Sequence, residues 1–117
     1  MFKQKLARVV SNVDGALGCM LIGFDGIAID SVWDQDLPQM SAVAVELSNL
    51  LAKFRRLQIQ DVGEISEVSI TTGDITTLAR VVAGEYLLIL AMSMNGDVGR
   101  GQTMLRLISP FVEREMV

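Results

Sequence analysis

Apolar residues recur along this chain in two different rhythms. Leu6, Val9, Val10 and Val13 fall at helical spacing and predict an amphipathic helix over residues 3–13, ended by Asp14-Gly15. An apolar run from Leu17 to Phe24 then breaks at Asp25-Gly26 and resumes from Ile27 to Val32. Asp-Gly between two such runs signals a β-hairpin, because both central positions of a type I′ turn need positive φ. Trp33 to Asp36 reads as a loop, with Asp36 placed to cap the next helix and Pro38 in its first turn.

That helix is the longest element expected, from Pro38 to Leu57. Met40, Val43, Ala44, Leu47, Leu50, Leu51 and Phe54 form one broad face, expected to cover a sheet. A narrower stripe of Ser41, Val45, Ser48 and Ala52 lies on another side. Small residues there either admit a second helix at close range or are solvent-facing filler.

After Gln60 to Gly63 the period becomes two. Strands are expected over residues 65–72, 75–82 and 86–94, joined by turns at Thr72-Gly73-Asp74 and Ala83-Gly84-Glu85 that force an antiparallel meander. Strands 17–24 and 86–94 are apolar on both faces, which places them in the middle of a sheet. If they are neighbours, hairpin and meander join into one five-stranded antiparallel sheet of order 2-1-5-4-3. The third strand, containing Glu67, Val68, Ser69 and Ile70, becomes an edge, and pairing with its own copy is one way to protect it. A last helix carries Met104, Leu105, Ile108, Phe111 and Val112, with Asp97 as N-cap and Pro110 as a kink. The whole is an α+β fold, α-β-β-α-β-β-β-α, in a single domain over residues 1–117.

Composition narrows the chemistry. The chain has no histidine, which removes imidazole acid–base catalysis, histidine triads and His-ligated zinc. Cys19 is alone, within an apolar strand and without neighbouring cations, and reads as a buried small hydrophobe. A net charge of −4 argues against nucleic acid and anionic membrane as partners, and no apolar run is long enough to insert in a bilayer. Cytoplasmic residence follows as the expectation. The one dense basic group, Lys53, Arg55 and Arg56, lies where it favours the end of the long helix. Gly96 to Gly101 has neither the dinucleotide fingerprint nor Walker spacing, and the acidic pairs lack a calcium-loop series. No catalytic residue, cofactor site or metal site is expected. Trp33 is expected to plug the core edge or to anchor a partner.

The order of elements joins three local motifs: Val13-Asp-Gly-Ala-Leu-Gly18, Gly23-Phe-Asp-Gly-Ile-Ala-Ile-Asp30 and Leu105-Arg-Leu-Ile-Ser-Pro110. Together they resemble the Roadblock/dynein light chain family, in particular its compact prokaryotic members, among them a gliding-motility protein that partners a Ras-like GTPase. The resemblance covers nearly the whole chain. It implies one long helix on one face of the sheet and two on the other. It also implies a homodimer through Glu67, Val68, Ser69 and Ile70 of the third strand and Ser41, Val45, Ser48 and Ala52 of the long helix. The implied role is non-enzymatic: a regulator or scaffold of a Ras-like small GTPase, with Glu46, Asn49, Lys53 and Arg56 as the reachable partner surface. A structural adaptor that leaves nucleotide turnover unchanged is the alternative, and a small-molecule sensor ranks last because no convergent polar pocket is visible.

Overall fold

The computed structural model describes residues 2–33, 39–56 and 62–116. The expected cap Asp36, Pro38 and the helix end at Leu57 lie outside these residues. Three helices, α1 (Lys3–Asn12), α2 (Met40–Arg55) and α3 (Val98–Met116), accompany five strands: β1 (Ala16–Gly23), β2 (Ala28–Trp33), β3 (Glu67–Thr71), β4 (Ile75–Val82) and β5 (Tyr86–Ser93). The strands form one antiparallel sheet of order β2-β1-β5-β4-β3, with the two doubly apolar strands side by side at its centre.

Period-two alternation divides the core into two layers. Cys19 and Leu21 of β1, with Leu88, Leu90 and Met92 of β5, pack beneath α1 and α3. Met20, Ile22, Leu87 and Ile89 point the other way and meet Ala44, Leu47 and Leu51 of α2. Every one of these side chains is buried, which is why β1 and β5 read as unbroken apolar runs. Gly101 lets α3 approach closely: a Cβ there would stand 2.8 Å from Met92 Sδ and 3.0 Å from Leu78 Cδ1. Asp97 caps α3 as expected, its Oδ1 accepting from the Arg100 amide at 3.0 Å. Pro110 is accommodated inside the same helix.

Four local expectations change. The first concerns the β1–β2 turn. Gly26 alone has positive φ there (+83°), while Gly26 N donates to Gly23 O and Gly23 N to Ile27 O, both at 3.0 Å. This is a three-residue loop with glycine in the left-handed position, not the two-residue type I′ form. Asp25 instead accepts the Ile27 amide on Oδ1, so strand β2 begins one residue late. The type I′ geometry occurs between β4 and β5, where Ala83 (φ 54°) and Gly84 (φ 72°) are both left-handed.

Second, Val43, Leu50 and Phe54 do not cover the sheet; they are exposed, and only Met40, Ala44, Leu47 and Leu51 of that face are buried. Third, Ser48 is wholly buried rather than outward-facing; its Oγ donates to Val45 O at 2.7 Å. A Cβ on Gly26 would lie 3.6 Å from Val45 Cγ1 and 4.0 Å from Ser48 Oγ, so this part of the small-residue stripe seats the β1–β2 turn. Fourth, Met94, at the end of a strand expected to be apolar on both faces, and Phe111, from the apolar pattern of the last helix, are about half exposed. Trp33, expected in the loop, is instead the last residue of β2 and acts as the plug: its ring lies over Gly18, the residue opposite it on β1.

Candidate protein-interaction surface

α2 presents two exposed strips with different chemistry. Along its outward side, Glu46, Asn49, Lys53 and Arg56 are all exposed, spaced three to four residues apart so that one partner could reach them together. Along its flank toward β3, exposed Val43 and buried Met40 and Leu47 line an apolar groove of about 390 Å³ with Ile70, and exposed Leu50 lines an adjoining one of about 330 Å³ with Val43, Leu47 and Ile70. Strand β3 closes the sheet on that side, so among the described residues of one chain no strand pairs with its outer edge.

The residues proposed from the sequence for self-association therefore separate into two groups. Val68 and Ile70 point to the α2 face of the edge strand, and Glu67 and Ser69 to the α3 face. On α2, Ser41 is exposed, Val45 and Ala52 are half-buried, and Ser48 is inside the monomer. The apolar residues that remain free are Val43, Leu50 and Phe54. Helical periodicity placed these three in the core because it reports which side of a helix is apolar, not how much of that side the sheet can cover.

Glu67 organises the other face of the edge strand. Its Oε1 accepts from Arg80 Nη1 at 2.7 Å and from Arg106 Nε at 2.6 Å, and its Oε2 accepts from Arg106 Nη2 at 2.8 Å. The forked bond from Arg106, with both positive charges nearby, holds the Glu67 carboxyl below the usual carboxylate range. One carboxylate thus ties β3 to β4 and to α3. At the far end of α2, the Arg55 guanidinium stacks 4.5 Å over the Phe24 ring and joins the helix to the β1–β2 turn. Neither contact is readable from spacing, since each joins residues far apart in the chain.

Elsewhere the chemistry is sparse. Burial raises the Cys19 thiol to about 12. Arg100, in the first turn of α3 rather than in a loop before it, lies against the end of α1, its Nε donating to Asn12 O at 3.5 Å. Among the described residues no three Cys, Asp or Glu side chains gather into a metal-binding group, and no helix is long and apolar enough to cross a membrane.

This five-stranded antiparallel sheet, with one helix on one face and two on the other, is a layout that Roadblock-type αβ domains share. The chain belongs to the Roadblock/LC7 family. It is similar to MglC from Myxococcus xanthus at 32% identity over 97% of this chain and 98% of that one, with a TM-score of 0.78. The gliding protein MglB from Thermus thermophilus superposes with a TM-score of 0.82 over 96% of this chain and 85% of its own, at 17% identity. A Roadblock/LC7 domain from Streptomyces avermitilis gives 0.74 over 93% and 95%, at 14% identity. These last two share the fold. No protein-family model and no curated relative matches the sequence.

Proposed function

We propose that this chain is a dimeric, non-enzymatic regulator or scaffold of a prokaryotic Ras-like small GTPase. The observation that carries the reading is the end-to-end similarity to MglC, together with membership of a family whose resemblance implies GTPase partners. Geometry supports it in two ways. The open edge of β3 and the apolar flank of α2 lie side by side, so one second copy could cover both. Such a dimer would leave Glu46, Asn49, Lys53 and Arg56 reachable on the outward strip.

Size-exclusion chromatography with light scattering, on the chain mixed with a Ras-like GTPase from the same organism, tests both parts. The expected result is a dimer that co-elutes with the GTPase in one nucleotide state, and loss of that complex when Lys53 and Arg56 are both changed to Glu. Retained binding by the double variant would place the partner surface elsewhere. Binding without any change in hydrolysis would favour the structural adaptor. Ile70→Lys, at an exposed edge position, is expected to give a folded monomer; an unchanged dimer would refute pairing through β3.

A further inference from the structure

The face of the sheet opposite α2 has its own open feature. Between α1 and α3 runs a groove of about 360 Å³, walled by Gln4, Lys5 and Arg8 on one side and Met104, Leu107, Ile108 and Phe111 on the other. Leu107 and Phe111 stand in it 56% and 49% exposed. α1 holds Lys3, Lys5 and Arg8 and no acidic residue, in a chain whose net charge is −4. Lys3 and Lys5 lie in the first turn, where the positive end of the helix dipole disfavours cations, so helix stability does not account for them.

The charge gathers around the apolar wall. Lys5 Nζ is 6.0 Å from the Phe111 ring centre and the Arg114 guanidinium 5.3 Å. Three carboxylates are near, and each is engaged: Asp30 lies 4.0 Å from Lys3 Nζ, Glu115 accepts from Lys5 at 2.9 Å, and Glu113 accepts from the Ala83 amide at 3.1 Å. Arg8 makes no ion pair among the described residues.

We propose that this groove docks an acidic amphipathic helix of a partner protein. The stretch Met104 to Phe111 spans about 12 Å, or two helical turns, which suits apolar anchors at i, i+3 or i+4, and i+7 of the incoming helix. Asp or Glu beside those anchors would meet Lys5, Arg8 and Arg114. A second copy of this chain fits poorly, because a two-fold interface would set the cations of α1 against themselves. An anionic membrane also fits poorly: each cation contributes about 1 kcal/mol at a lipid surface, the chain as a whole is acidic, and the feature is concave.

Two displayed libraries of helical peptides, about four turns long, test the inference on the full chain. Both vary Leu, Ile, Met and Phe along one face; one carries Glu at the flanking positions and the other Lys. Enrichment of Glu-flanked peptides is expected, with binding that weakens as salt rises. Fluorescence anisotropy should show about a tenfold weaker Kd for Arg8→Glu and for Leu107→Glu. Both positions are exposed, so melting curves should match wild type; if Leu107→Glu unfolds, Leu107→Ser replaces it. No enrichment, equal enrichment of Lys-flanked peptides, or affinities unmoved by the substitutions would overturn the proposal. So would binding to vesicles of phosphatidylglycerol and phosphatidylcholine that Arg8→Glu abolishes, or a light-scattering mass that falls on Leu107→Glu.

Discussion

Alanine at position 18 would carry its Cβ into the indole of Trp33, 1.7 Å from Cε3, 2.4 Å from Cζ3 and 2.6 Å from Cδ2. Carbon atoms in contact settle at about 3.5–4.0 Å, so the ring must move by about 2 Å. Strand β1 cannot retreat, because Gly18 faces Trp33 on β2 and Ala91 on β5. The ring therefore moves, toward the free edge of β2. A tryptophan buries about 200 Å² when packed, and surrendering half of that at about 25 cal/mol per Å² costs about 2.5 kcal/mol. For a domain of this size the melting temperature should fall by about 10 °C. Trp33 is the chain's single tryptophan, so native-state emission reports on it alone and should shift to the red. Trp33→Ala in the Gly18→Ala background should cost less than the two changes summed, by about 1–2 kcal/mol, since the second change relieves the clash. Unchanged melting and emission in Gly18→Ala, or strict additivity of the pair, would refute the argument.

Three further outcomes are expected. Ala83 occupies a left-handed conformation at φ 54°, which disfavours alanine by about 1–2 kcal/mol; Ala83→Asn should stabilise the fold by about 0.5–1 kcal/mol in urea titrations, and a loss would contradict the turn geometry. The Glu67 carboxyl is held below its ordinary range by Arg106 and Arg80, so the stability it contributes is complete above the unfolded carboxylate pKa and lost as pH falls through the lowered folded value. Glu67→Gln should accordingly be less stable than wild type at neutral pH, with the gap closing in acid; a gap independent of pH would count against the bridge. The Cys19 thiol, buried and raised to about 12, should resist iodoacetamide in the native protein and react only on unfolding.

Much of the fold was legible because β1 and β5 are covered on both faces, and a doubly apolar run has few places to go in a sheet. Order 2-1-5-4-3 followed from that and from the short turns of the meander. What spacing could not supply was the extent of cover. Val43, Leu50 and Phe54 share a side with buried Leu47 and Leu51, and periodicity alone ranks the five equally. At Ser48 the stripe of small residues has a source that spacing could not reveal: the β1–β2 turn packs on it, and a tertiary contact within one chain leaves the same signature as a helix–helix seam. The turn itself showed that Asp-Gly specifies a left-handed glycine but not the loop length around it. Glu67 was placed correctly on the edge strand, while its grip on Arg80 and Arg106 depends on register and on α3, which only the folded chain brings together.

The uneven helical cover is the feature that best explains why apolar surface persists where it does. Five strands about 4.8 Å apart make a sheet about 19 Å wide between its outer axes, and a helix with its side chains is about 10 Å across. Two helices can roof that width; one cannot. On the roofed face, α1 and α3 leave only a seam between them. On the other face, α2 sits over the β1–β5 centre, and the margins show it: Ile29 and half-buried Trp33 remain toward β2, Val43, Leu50 and Ile70 toward β3. At the β3 margin the edge strand and α2 form an apolar groove between them. Backbone pairing and apolar burial are thus available together along that edge, and a ligand that met only one demand would leave the other open. The second copy proposed above, aligned strand to strand, would meet both, and the Ile70→Lys variant tests that pairing most directly.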